Sequence, residues 1–280
     1  MSRIRRGWEL TRKSWAVLRE NQALIRFPIY GAMATVLMAV IVVVPGLYLI
    51  DQGTAGGGVA LLIIAFYLLA LIGFYFSVGL AAAADMIFHG QRATVGEGLA
   101  VARGRISQIA GWAAVSTIVG VVLGALEGEG IAGQIVARLL DIGWSLITFL
   151  AVPVIAIEGT GPIETLKRSA SLFRSRWGQQ LTGNVAIGGA VLLLGILPAA
   201  LLIAGGVALW STSGFGGAVL VVIGAVIAAI ALLVSRALSG IFGVALYRYA
   251  HDGEPVGGFT PAELDSAVRS RRGAPAPGTI

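Results

Sequence analysis

Six apolar blocks, each of about twenty residues or more, at about 25–50, 59–88, 106–126, 131–157, 181–209 and 217–249, constrain this chain more than any other feature. Each is long enough to cross a hydrocarbon core about 30 Å thick as a helix. In lipid a spanning segment must satisfy its own backbone, which leaves helices or closed barrels, and these runs lack the alternation of a barrel strand. The rest of the composition agrees: 57% of residues are hydrophobic, 12% are charged, and the mean hydropathy is +0.88. The expected fold is all-α, a polytopic membrane helix bundle forming one domain over 1–272, followed by a disordered tail at 273–280.

Short polar or glycine-rich turns at 51–57, 127–130 and 210–216 pair the blocks into three hairpins. Of the 20 Lys and Arg residues, all but Arg138 and Arg236 lie at the other ends of the blocks or beyond them, whereas the three turns carry only Asp51, Glu127 and Glu129. Positive charge marks the cytoplasmic side, so both termini are expected in the cytoplasm. Abundant Arg, Ala, Gly and Val suggest a prokaryotic cytoplasmic membrane. The amino terminus is basic and amphipathic, with no compact signal-peptide pattern, and reads as retained sequence. There is no cysteine, which excludes disulfides and thiolate metal sites. The +6 net charge is explained by anionic headgroups; no motif accompanies it that would indicate nucleic acid.

An internal repeat punctuates the chain. Each even-numbered block ends in a polar residue plus glycine: His89-Gly90, Glu158-Gly159 and Asp252-Gly253. A helix start containing Glu97, Glu164 or Glu263 follows each one. Glycine suits the left-handed residue that closes a helix, and Thr or Gly with Glu three residues on resembles a capping box. Short helices are therefore expected at 1–23, 94–105, 162–177 and 261–271. The first resembles the third at an offset of 155, with Glu9 to Ser14 against Glu164 to Ser169 and Arg19 against Arg174. Both have the pattern of helices lying in the headgroup plane or packed as connectors on the span ends. The candidate interface residues are Trp8, Arg12, Lys13, Trp15, Lys167, Arg168, Arg174 and Trp177.

Charge inside the hydrocarbon costs at least ~2.5 kcal/mol unless paired or solvated. Arg138 and Asp141 share a helix face, and depth reckoning makes Asp141 the counter-ion of Arg236 as well. A buried Arg138–Asp141–Arg236 cluster between the fourth and sixth spans is expected, either as a packing clamp or as a site for solute, proton or headgroup. Small-residue stripes (Gly73, Ser77 and Ala81; Gly120 and Gly124; Ser235, Ser239 and Gly243) are expected to give close helix contacts. Pro198 is expected to kink the fifth span. His89 and His251 read as helix-end residues, and no metal site, cofactor motif or catalytic constellation appears, so no enzyme is expected.

The run Phe149-Leu150-Ala151-Val152-Pro153, continued by Glu158-Gly159, Glu164 to Ser169 and Leu172-Phe173, resembles a signature of uncharacterised prokaryotic six-span membrane proteins, as does the Trp8…Ser14-Trp15 pattern. It is loosely similar to the membrane domain of glycerophosphodiester phosphodiesterases, whose catalytic domain is absent. The resemblance implies a six-helix inner-membrane fold and no activity. Two functions stand: a non-enzymatic module binding anionic lipid or a partner membrane protein, and a small transporter or lipid-translocating protein. The oligomeric state is not indicated.

Overall fold

The computed structural model describes residues 3–127, 130–177, 195–210 and 213–268. Every regular element among them is a helix: α1 (Arg3–Glu20), α2 (Ala23–Asp51), α3 (Ala55–Phe88), α4 (Val95–Gly104), α5 (Ile106–Glu127), α6 (Gly130–Thr148), α7 (Ala151–Ile157), α8 (Pro162–Trp177), α9 (Leu197–Ala208), α10 (Gly214–Asp252) and α11 (Pro261–Val268). Four are long and apolar enough to cross a membrane: α2, α3, α5 and α10. The remaining two expected spans differ. α6 carries Arg138 and Asp141 and is separated from α7 at Phe149-Leu150. Pro153 explains that break, because it lacks the N–H that would bond to Phe149 four residues back. The expected fifth span falls largely on 178–194, outside the described residues; from it α9 remains, with Pro198 in its first turn, and the stretch that would show the expected kink lies among the residues not described. The expected tail at 273–280 also lies outside the described residues.

Glycine draws two helix pairs together. A β-carbon at Gly46 would come within 2.9 Å of Leu62, at Gly31 within 3.1 Å of Phe76, and at Gly79 within 3.0 Å of Phe27, an antiparallel register that runs the length of α2 and α3. Likewise one at Gly206 would lie 2.6 Å from the Gly217 carbonyl, and one at Gly224 2.8 Å from that of Ala199, which packs α9 antiparallel on α10. The expected stripes play a smaller part. Gly73, Gly124 and Gly243 have open space where a side chain would stand, and of the four stripe glycines Gly120 meets a neighbour, Phe66.

Burial divides the molecule into two levels. Large apolar side chains are exposed along α2 from Ile29 to Tyr48, on α3 from Val59 to Phe66 and on α10 from Phe215 to Leu232. The core lies below them, in Leu24, Phe27, Val78 to Ala84, Trp112, Leu150 to Ala156 and Ala237 to Ala250. From the turns at Gly53 and Ser213 down to Gly31, Phe76 and Arg236, the exposed part of α2, α3 and α10 is about 30–33 Å tall at the helical rise per residue. That height matches a hydrocarbon core. Beneath it α3 and α10 continue for three to four turns as a packed base clothed by the short helices α1, α4, α7, α8 and α11. Trp112 anchors this base, stacked on Trp144 at 5.9 Å and edge-on to Phe74 at 6.4 Å.

Candidate functional site

The base is where the charged residues gather, and the end of α10 organises it. Two consecutive α10 residues each satisfy the carboxylate that closes another long segment. Arg248 donates from Nε and Nη2 to the two oxygens of Asp85, at 2.7 and 2.8 Å, and from Nη1 to Asp252 at 3.2 Å. The Tyr247 hydroxyl donates to Glu158 at 2.7 Å, and Arg168 Nε donates to the same carboxylate at 2.9 Å. That hydrogen bond to Glu158 is the main reason the Arg168 guanidinium binds its proton more tightly than usual. Asp85 ends α3 and Glu158 follows α7, so α10 ties both segments at one level.

The three punctuation glycines close their helices in the left-handed region, with φ of +74° at Gly90, +66° at Gly159 and +81° at Gly253. Thr94 and Glu97 form the capping box foreseen for α4: Glu97 N–H donates to Thr94 Oγ1 at 3.2 Å, and Thr94 N–H donates to Glu97 at 2.8 Å. The Thr94 backbone bond, then its hydroxyl, hold the Glu97 carboxyl below the ordinary carboxylate range.

α1 and α8 present matching surfaces at the offset of 155. Ser14 and Ser169 are fully buried, Leu18 and Phe173 are nearly so, and Arg12, Arg19, Lys167 and Arg174 are exposed. Lys13 and Arg168, two of the expected interface cations, are correspondingly placed but committed to the protein. Lys13 Nζ donates to the Gly258 carbonyl at 2.8 Å, and Arg168 to Glu158. They stand between the buried and exposed faces, close enough for protein acceptors to capture them. Trp15 is 47% exposed beside Arg12 and Arg19, and these three with Ala16 and Glu20 line an open groove of about 440 Å³. A second groove of about 380 Å³ runs between α1, Ile87-Phe88 and Gly257-Gly258. Trp8 and Trp177 lie on α1 and α8, with side chains outside the described part.

The expected intramembrane cluster is not assembled. Arg138, Asp141 and Arg236 are each exposed, and no hydrogen bond or ion pair among the described residues joins them. Arg138 and Asp141 share α6, and Arg236 stands on α10 at the lower edge of the apolar belt, where a long side chain reaches the interface. Among the described residues no three His, Cys, Asp or Glu side chains converge as metal ligands.

The sequence reading missed Arg248, Tyr247, Asp85 and Glu158 as partners. They are brought together by helices whose residues are 163 and 89 positions apart. The available signal was that Asp85, Glu158 and Asp252 all sit at the punctuation, a place where one cation could serve several chain ends.

A family model described as a family of unknown function (DUF6159) matches residues 55–258, from the first residue of α3 to the glycine that receives Lys13. No curated protein and no solved structure matches the chain, so the likeness to the membrane domain of glycerophosphodiester phosphodiesterases rests on its motif alone.

Proposed function

The chain belongs to that family of unknown function, and from this premise we propose that it is a non-enzymatic integral membrane protein whose basic cytoplasmic collar binds anionic phospholipid headgroups. In this reading it spans a prokaryotic cytoplasmic membrane six times, as three hairpins, with both termini inside. The observation that carries the reading is the outward face of α1, where Arg12, Trp15 and Arg19 line one groove at the level of the packed base while Ser14 and Leu18 are turned into the protein. A helix whose inner face is already used, and whose outer face combines Arg with a half-exposed Trp on the basic side of an apolar belt, suits an anionic headgroup surface. Each cation near such a surface contributes about 1 kcal/mol.

The test is native mass spectrometry of the full chain, released from micelles supplied with phosphatidylglycerol and phosphatidylcholine of the same acyl chains. Preferential retention of phosphatidylglycerol, declining with added salt, is the expected result. Equal retention of the two lipids sinks the proposal, and a stoichiometric co-purifying subunit in place of lipid redirects it to protein binding.

A further inference from the structure

The structure carries the repeat further than the sequence does. At the offset of 155, α1 and α8 agree in the direction of their side chains. Ser14 with Ser169 and Leu18 with Phe173 face the protein; Arg12 with Lys167 and Arg19 with Arg174 face out. The outward cations recur at i and i+7, on one helical face, with an exposed apolar side chain beside them, Trp15 at 47% in α1 and Ile163 at 68% in α8.

The two helices also sit on equivalent supports. α8 packs on α6 and α7, the segment it follows, and its Arg168 reaches back to Glu158 beside Gly159. α1 precedes all the long helices, yet it packs on the end of α10 and on α11, and its Lys13 reaches the Gly258 carbonyl beyond Gly253. The first helix of the chain thus packs on the last long helix, as α8 packs on the α6–α7 segment before it. Lys13 and Arg168 are the matched residues of the two helices, and each bonds the chain near a left-handed glycine, Arg168 at the residue before Gly159 and Lys13 at Gly258 itself.

We infer that α1 and α8 are two equivalent headgroup-binding stripes, one anionic phospholipid each, with Arg12 and Arg19 supplying the cations of the first and Lys167 and Arg174 those of the second. The inference rests on the lipid-binding reading above and names its ligand sites. The occupant is the anionic phospholipid of the surrounding leaflet: each stripe has two cations about 10 Å apart along the helix, an exposed apolar side chain beside them (Trp15 or Ile163), and an inner face already packed against protein. Arg92 and Arg103, exposed around α4, form no such stripe.

Three double variants test it in the same phosphatidylglycerol and phosphatidylcholine micelles: Arg12→Gln with Arg19→Gln, Lys167→Gln with Arg174→Gln, and Arg92→Gln with Arg103→Gln. Glutamine keeps helix propensity, and thermal melting verifies the fold. The expected result is two preferentially held phosphatidylglycerol molecules on the wild type, one on each of the first two variants, none with all four changes combined, and two on the α4 variant. The emptied stripe should bind roughly 30-fold more weakly, as expected for two surface cations. If the wild type selects phosphatidylglycerol but the stripe variants retain both molecules, or the α4 variant loses as much, the two-site inference falls and lipid binding stands. If the wild type shows no selection, both fall.

Discussion

Arg248 is held by two carboxylates, and its side chain is 17% exposed against 18% for Asp85. Removing Arg248 strands Asp85, and removing Asp85 leaves Arg248 with Asp252 alone, each at a cost of about 1–3 kcal/mol. Asp85→Ala and Arg248→Ala should each lower the melting temperature in detergent, and the double variant should be less destabilised than the sum of the two. A coupling near zero in that cycle would mean that the pair does not hold the base together. At Gly159 the left-handed φ of +66° and the overlying Arg105 guanidinium both oppose a side chain. Gly159→Ala should cost about 1–2 kcal/mol from the backbone alone. Gly161→Ala, where nothing lies within 4 Å, should be nearly neutral. Comparing their melting midpoints separates conformational strain from a general intolerance of the loop. These glycines were legible in the sequence, because a polar residue plus glycine after a long apolar run has one local meaning. The Asp85–Arg248 and Glu158–Tyr247 bonds were not, since residue spacing reports only neighbours on the same helix. Charge inside the apolar blocks directed the search to Arg138, Asp141 and Arg236, which the fold leaves on its outside.

Among the elements, α4 was the most legible, its Thr94–Glu97 box and closing turn all being local chemistry. Thr94→Ala should cost about 1 kcal/mol through the lost cap. The box also makes α4 sensitive to acid. Glu97 has a lowered pKa in the folded chain, so its contribution is fully present above the ordinary carboxylate pKa and is lost as pH falls through the lowered value. Hydrogen exchange in the first turn of α4 should therefore accelerate in that acid window for the wild type. In Glu97→Gln, whose amide can still accept from Thr94 N–H without titrating, the same amides should show no added change there; an identical acid response in both would assign it to another group. α6 and α7 show what hydropathy hides. A window over 131–157 averages across the Phe149-Leu150 break that Pro153 imposes, since an apolar run looks the same whether or not its hydrogen bonds are continuous. For α1 the sequence leaves a helix in the headgroup plane and a connector packed on the span ends both open; Leu18 turns to the protein and Trp15 away from it. Only the packing against α10 and α11 could reveal that split.

At the scale of the whole molecule, the long helices exceed the membrane they are suited to cross. α3 at 34 residues and α10 at 39 residues are about 51 and 58 Å long, against a hydrocarbon core near 30 Å. The sequence made the excess visible as length but treated all of it as span. The burial pattern divides it, because side chains facing lipid are left uncovered by protein whereas those in the base are enclosed. The division leads to a topology test that suits this chain, which has no cysteine to remove. Single cysteines at Gln52, Glu127 and Ser213 belong to the turns assigned to the outer side, and those at Arg92, Arg174 and Glu254 to the basic side. With a membrane-impermeant maleimide on intact cells, the first three should label at once and the second three only after permeabilisation. Labelling of Glu127→Cys with the second group would remove the second hairpin and reduce the six spans proposed here. Extending the scan along α10 locates the boundary itself. Cysteines from Phe215 to Leu232 should resist an aqueous reagent because they face lipid. His251→Cys, exposed beyond the base, should react freely from the cytoplasmic side, and an equally protected His251→Cys would place the base inside the membrane.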